Sequence, residues 1–159
     1  MKRALPVPPG AYLLGKMVMA MLTAALVVAE LLLLGAFAGH VALSAGQVLA
    51  MLVCAAVGVL PFCALGMLIG TLIKGQGAPG MLNLIYLPMA FLSGLWIPLQ
   101  ILPAFVSRFA VVFPSYHLNQ IMQRALQSTD AAILANIVVL AAFALVFFAL
   151  ATRRLRRHG

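Results

Sequence analysis

Residues 17–39 read MVMAMLTAALVVAELLLLGAFAG, an apolar run with one ionisable side chain, Glu30. A helix needs about 20 mostly apolar residues to cross a hydrocarbon layer of about 30 Å, and this run is long enough. Working outward, residues 47–73, 80–97 and 131–151 meet the same test. Backbone in hydrocarbon must satisfy its own hydrogen bonds, so the runs are predicted to be helices, and the strand-length alternation of a barrel is absent. Composition agrees. Apolar residues make up 65% and charged residues 8%, against about a quarter charged in soluble domains. The predicted fold class is all-α, a polytopic membrane protein with four transmembrane helices and a re-entrant or interfacial helical hairpin before the last one.

The cations orient these spans. Of the 10 Lys and Arg residues, Lys2, Arg3, Lys16, Lys74, Arg153, Arg154, Arg156 and Arg157 fall at positions that four crossings place on one side, and only Arg108 and Arg124 fall on the other. Retained cations mark the cytoplasmic side of short connectors, so both termini are expected in the cytoplasm. The chain divides into a cytoplasmic lead-in (1–16), a transmembrane domain (17–151) and a basic cytoplasmic tail (152–159). A net charge of +8 points away from nucleic acid, because the cations bracket apolar helices rather than interleave with aromatics. Anionic inner-leaflet lipid accounts for the tail. A cleaved signal is weighed against by the length of the first run and by Glu30. Cys54 and Cys63, nine residues apart in one predicted helix, stand about 13.5 Å apart, too far for a disulfide.

Several motifs have a functional and a bland reading. Gly10 to Met17 matches the first seven positions of a nucleotide-binding G-x-x-x-x-G-K loop, but Met17 stands where the chemistry needs a hydroxyl for magnesium, and prolines stand where a strand is needed. A headgroup-level lead-in anchored by Lys16 is the better reading. Glu30 is either a proton- or cation-coupling carboxylate or a hydrogen-bonded or protonated packing residue, and at its depth it should face protein or water. Thr23 shares its face. Gly66 and Gly70 form a G-x-x-x-G pair on a stripe with Gly58 and Phe62, a candidate helix-packing face. Pro61 is expected to kink the second span.

The segment 98–127 is the more specific signal. Ser93, Gly94, Trp96 and Pro98 end the third span with an interfacial aromatic and a proline stop. Phe105, Phe109 and Phe113 recur every four residues, and Pro114 then breaks the turn. Leu118, Ile121, Met122, Ala125 and Leu126 form the apolar side of a second short helix, opposite Asn119, Gln120, Gln123, Arg124 and Gln127. Two such helices lie on the membrane surface or dip in and return. Asp130 suits the N-cap of the last span. His117, beside Tyr116, lacks nearby Cys, Asp or Glu for a metal set, so it reads as an interfacial hydrogen-bonding histidine. With Glu30 and Asp130 the only acids, neither a carboxylate pair nor a Ser-His-Asp arrangement can be assembled, and no cofactor, metal or catalysis by this chain is expected.

Taken in order, these features resemble the membrane domain of ABC-2 type exporters, the permease partners of ATP-binding-cassette ATPases. Arg3-Ala4-Leu5-Pro6-Val7-Pro8 with Tyr12-Leu13-Leu14-Gly15-Lys16 resembles that family's cytoplasmic lead into its third helix. Phe91-Leu92-Ser93-Gly94 through Pro98, Leu102-Pro103, and Phe113-Pro114-Ser115-Tyr116-His117-Leu118 resemble the end of its fifth helix and its re-entrant outer segment. The resemblance implies helices three to six of a six-helix domain that pairs with a second permease domain, as a homo- or heterodimer, and with a separate ATPase in a bacterial inner membrane. Lys2, Arg3 and Lys16 would face the ATPase. Ser93, Gly94, Trp96, Pro98, Pro114, Tyr116 and His117 would shape an outer gate for an amphipathic small-molecule or lipid-like substrate. The family's N-terminal amphipathic helix and first two helices have no counterpart here, which implies another polypeptide, a fragment, a misassigned start or a degraded gene product.

Two other readings stay open at this point. A small proton-coupled multidrug exporter would exchange protons on Glu30, and a non-transporting membrane scaffold subunit would bind a partner through the Gly66 and Gly70 face. The long proline-broken segment weighs against the first.

Overall fold

The structure, a computed structural model, describes residues 9–73, 77–97, 99–127 and 133–158. Every regular element among them is helical: α1 Pro9–Phe37, α2 Ala45–Gly58, α3 Leu60–Leu72, α4 Gly77–Leu92, a 3₁₀ turn at Leu99–Ile101, α5 Ala104–Ala110, α6 Pro114–Gln127 and α7 Ile133–His158. Three stretches, Gly10–Phe37, Ala45–Leu72 and Ile133–Leu155, are long and apolar enough to cross a membrane, and Gly77–Leu92 is a shorter apolar helix. The large side chains left outside the fold are those of a lipid-facing surface; Leu22, Leu26, Leu31 and Leu34 of α1 are each 60% exposed or more. The chain is an all-α polytopic membrane protein.

Helix boundaries depart from the apolar runs in three places. The second run is two helices, α2 and α3, meeting at Val59. The cause is Pro61, fully buried in the first turn of α3 and lacking the N–H that would continue the ladder. The bonds resume on either side, from Val59 N–H to the Ala55 carbonyl at 3.2 Å and from Cys63 N–H to the Val59 carbonyl at 2.9 Å. Cys54 and Cys63 therefore sit on different helices, and both are free thiols. The third run stops being helical at Leu92, five positions before residue 97, and α4 carries Pro88 within it. The last helix runs on through the basic residues to His158 without a break.

Small and branched side chains bring the central helices together. The broadest packing is between α3 and α7, where Ala64, Ile69, Leu140, Ala144 and Ala151 are buried. Small residues suit this role because apolar attraction between helices is weak when lipid tails are equally apolar. The closest approach of backbone to side chain is at Gly58, where an added Cβ would overlap Leu118 of α6. Gly70 is different: nothing lies within 4 Å of where its Cβ would stand, and Gly66 meets only Leu82 at 3.9 Å. Within this chain the tight contact expected of the G-x-x-x-G pair is made instead by the stripe's other glycine, and Gly66 and Gly70 line an open groove with Tyr12, Lys16 and Leu155.

The two ends of the bundle differ in charge. At one, Lys16 of α1, Thr71 of α3 and Leu155 of α7 converge, and Arg154 Nε donates to the Thr71 carbonyl at 3.4 Å. At the other, α2 begins with a capping box in which Ser44 Oγ accepts from Gln47 N–H at 3.3 Å and Gln47 Oε1 accepts from Ser44 N–H at 2.9 Å. Gln47 Nε2 also donates to the Leu126 carbonyl, which ties the start of α2 to the end of α6. Lys2, Arg3, Lys74 and Asp130 lie outside the described residues.

Gly58→Val should lower the thermal stability of the detergent-purified chain by about 1–3 kcal/mol through overpacking. Leu118→Ala in the same chain should return part of that loss, a coupling that a double-mutant cycle reads directly. Gly70→Ala, with open space around it, should shift stability by less than about 0.5 kcal/mol.

Candidate functional site: a hairpin latched to the end of a short helix

The site begins where α4 ends. Sixteen residues give α4 a length of about 24 Å, roughly 6 Å less than the hydrocarbon layer. Ser93 closes the helix from a fully buried position, its N–H on the Met89 carbonyl at 3.1 Å and its Oγ on the Ala90 carbonyl at 3.2 Å. The next residue, Gly94, has φ +83, and a Cβ there would stand 2.8 Å from Leu99 Cγ. Two constraints thus demand glycine: a left-handed backbone and the packed leucine after the turn. The chain then reverses through the 3₁₀ turn and α5, and Pro114 starts α6 at a position where its missing N–H costs nothing.

Side chains of α6 bond backbone carbonyls on either side of this reversal, one of them already taken by Ser93 N–H. Ser115 Oγ, fully buried, donates to the Met89 carbonyl at 3.3 Å, and Asn119 Nδ2 donates to the Gly94 carbonyl at 3.0 Å. Gln123 Nε2 in turn donates to Asn119 Oδ1 at 3.2 Å. His117 is 7% exposed and bridges two elements, with Nε2 2.9 Å from the Val111 carbonyl and Nδ1 2.7 Å from Asn136 Oδ1 on α7. A carbonyl only accepts, so Nε2 carries the hydrogen. With Asn136 Oδ1 facing Nδ1, that nitrogen must donate as well, as in the imidazolium; a neutral ring accepts there only if the Asn136 amide is turned to present Nδ2. The Tyr116 ring stands edge-on to His117 at 5.3 Å. An apolar groove of about 490 Å³ opens beside this latch, lined among others by Leu84, Pro88, Phe113, Pro114, Phe143 and Phe147.

Of the residues singled out from sequence, Ser93, Gly94, Pro114, Tyr116 and His117 fall on the two helix ends that meet here. Trp96 stands off, 62% exposed with its ring 5.0 Å from Phe91. Pro98 lies outside the described residues. Phe105 and Phe109 are both 65% exposed on α5, whereas Phe113 lies beyond that helix and turns toward the groove. Sequence reasoning missed Asn136, and it named Ser115 and Asn119 without giving either a partner. The available signal was an amide inside an apolar span, since Asn136 is the one Asn or Gln between 133 and 151, and such a group needs a partner.

The remaining candidates lie elsewhere. Gly10 to Met17 is part of α1, a continuous helix with no phosphate-cradling loop, which agrees with reading the glycine-lysine match as accidental. Lys16 is exposed, its Nζ 5.7 Å from the Tyr12 ring centroid. Glu30 is exposed on α1, away from the other described helices, and Thr23 bonds only its own helix, at the Met19 carbonyl. Arg124 departs from the solvated face assigned to it, because its Nη1 is buried without a hydrogen-bond partner.

Comparison with known proteins places this architecture. A Bacillus subtilis (strain 168) protein named as a transport permease, YvfS, is 32% identical over 115 residues, which is 72% of this chain and 47% of the relative. The chain thus spans about half the length of the relative it matches. No solved structure matches. The family described as ABC-2 family transporter protein matches residues 1–153, and the chain belongs to that family.

Proposed function

We propose that this chain forms part of the membrane domain of an ATP-binding-cassette exporter in a bacterial inner membrane, with a separate ATPase supplying the energy. The observation that carries the reading is the latch itself. A short fourth helix, a glycine that must turn left-handed and a polar hairpin held on its end make a stopper that is fixed to the bundle at discrete bonds and bordered by an apolar groove. Such an element opens or closes by exchanging a few hydrogen bonds, as a gate needs. The hairpin of α5 and α6 faces outward, and the end carrying Lys16 and Arg154 faces the cytoplasm, in line with the distribution of cations. Both termini then lie inside.

In this reading the residues divide by role. Ser93, Gly94, Pro114 and His117 set the shape of the outer gate; Trp96 and Tyr116 line its approach. Lys2, Arg3 and Lys16 face the ATPase. A second permease domain, a copy of this one or a relative, completes the translocation path, and the groove beside Phe113 and Phe147 suits an amphipathic small molecule or a lipid-like substrate. When the ATPases close on ATP, the paired permeases rock and the gate lets substrate leave. The chain itself performs no catalysis.

Topology is tested by single cysteines introduced in a chain free of Cys54 and Cys63. Phe105→Cys should react with an impermeant maleimide added to intact cells, and Arg153→Cys should react only after permeabilisation; the reverse pattern overturns the orientation. Function is tested by purifying the chain from its native membranes in mild detergent. An ABC ATPase should co-purify, and transport of amphipathic dyes into inverted vesicles should require ATP and survive a protonophore. Transport that follows the proton gradient and vanishes in Glu30→Gln would instead support proton coupling. At the gate, Gly94→Ala should cost about 1–2 kcal/mol of stability from the left-handed backbone alone, with a larger loss of transport than of membrane insertion.

A further inference from the structure

On the side of α6 that faces α2, beyond His117 toward the end of the helix, lies a separate cavity of about 500 Å³ that also reaches the start of α7. Its walls are apolar, with Leu49 and Val53 of α2 and Ile121 and Ala125 of α6 among them. Two polar side chains reach it. The polar atoms of Gln47 are already engaged, Oε1 with Ser44 and Nε2 with the Leu126 carbonyl. Arg124 is not engaged in the same way: its Nη1 is shut off from solvent and has no hydrogen-bond partner. A guanidinium nitrogen buried in an apolar cleft without a partner carries a desolvation cost that a hydrogen-bonded anion removes.

The position of the cleft selects the anion. Arg124 lies in the last turn of α6, beside the capped start of α2, so it stands at the end of the helices where headgroups lie. The mouth is formed by side chains that face the surroundings, Leu49 being 64% and Val53 53% exposed. In a membrane protein such residues face acyl chains. An occupant with a phosphate at one end and an aliphatic chain at the other meets both demands, and the planar guanidinium matches phosphate oxygens in pairs.

We propose that this cleft binds an anionic phospholipid, its phosphate on Arg124 and one acyl chain along Leu49 and Val53. The site is distinct from the gate and needs neither nucleotide nor transport to fill. It couples lipid to the gate through α6, since the same helix carries Ser115 and Asn119 on its other side and His117 one turn before Ile121 on the same side.

The test uses the full chain, purified in mild detergent and mixed with dioleoyl-phosphatidylglycerol, with dioleoylglycerol as the same chains without phosphate, or with inorganic phosphate as the anion without chains. Retention is read by native mass spectrometry. Occupancy is read separately through Cys54, which lines the cleft, as its rate of alkylation by N-ethylmaleimide in a Cys63→Ser background. Phosphatidylglycerol should be retained at least about ten-fold over the diglyceride, the difference expected of a charge-assisted bond over none, and should slow Cys54 alkylation, whereas inorganic phosphate alone should do neither. Arg124→Gln should bring the two lipids level, Arg124→Lys, a point charge without the paired donors, should keep only part of the preference, and Val53→Trp, at an exposed position, should block retention by filling the mouth. Equal retention of both lipids by the unaltered chain, protection of Cys54 by inorganic phosphate alone, or an Arg124→Gln chain that prefers phosphatidylglycerol as before would each overturn the proposal. So would a second protein chain whose carboxylate cross-links to position 124.

Discussion

A backbone that leaves the helix within or beside hydrocarbon must have its amides and carbonyls bonded by something other than water, and this requirement organises the fold around α6. The polypeptide stops being helical at Leu92 and does not begin another helix of two turns or more until Pro114, apart from the seven residues of α5. Each unbonded peptide group would cost several kcal/mol in lipid. Ser115 and Asn119 bond the carbonyls of Met89 and Gly94, and His117 bonds that of Val111. Apolar attraction puts the spans into the membrane, but it does little to hold one span against another there. The polar contacts of α6 are therefore what fix the hairpin in one register.

Two kinds of packing result, and they sit at different places. The α3–α7 contact relies on close approach of small residues such as Ala64 and Ala144, giving a rigid spine through the bundle. α6 also packs broadly on α7 and α2, and it adds directional polar contacts, to α4 through Ser115 and Asn119, to α7 through Asn136 and to α2 through the Leu126 carbonyl. A spine held by many weak contacts changes shape only as a body. α5, by contrast, packs mainly on α4 and leaves Phe105 and Phe109 exposed, so in the proposed gate it is the part held least.

The spans and their charged end were legible in the sequence because both follow from transfer free energies, which depend on composition over some twenty residues and hardly on partners. Gly94 was singled out only as a gate-shaping position, and its left-handed turn comes from the structure. Partners were harder to read. Nothing in the spacing of Gly58, Gly66 and Gly70 says which one meets another helix, and the structure gives that contact to Gly58 because Leu118 of α6 arrives there. Arg124 read as solvated because it lies among glutamines on the polar side of α6, yet α2 covers that side at its end and buries Nη1. Asn136 was lost in an apolar run whose average hides one amide. In each case the missing information is which helix lies opposite, and a single helix's pattern does not contain it.

The same reasoning marks the flank of the bundle that its own helices leave unfinished. α1 packs on α2 and α3 but presents a long apolar face outward, and lipid accepts Leu22, Leu26 and Leu34 on that face without cost. It does not accept Glu30. Fourteen residues beyond Lys16 and seven before Phe37, this exposed carboxylate lies about 10 Å inside the end of the helix, where burial of a comparable acidic group in lipid costs about 2.5–3.5 kcal/mol on the lenient scale. None of the described helices supplies it with a partner, so its protein or water neighbour comes from beyond them. Gly70, which borders an open groove at the other end of the same flank, is likewise shaped for a contact that these helices do not make. On the proposed reading, the exposed Glu30 and the open groove at Gly70 are where a second permease domain would pack.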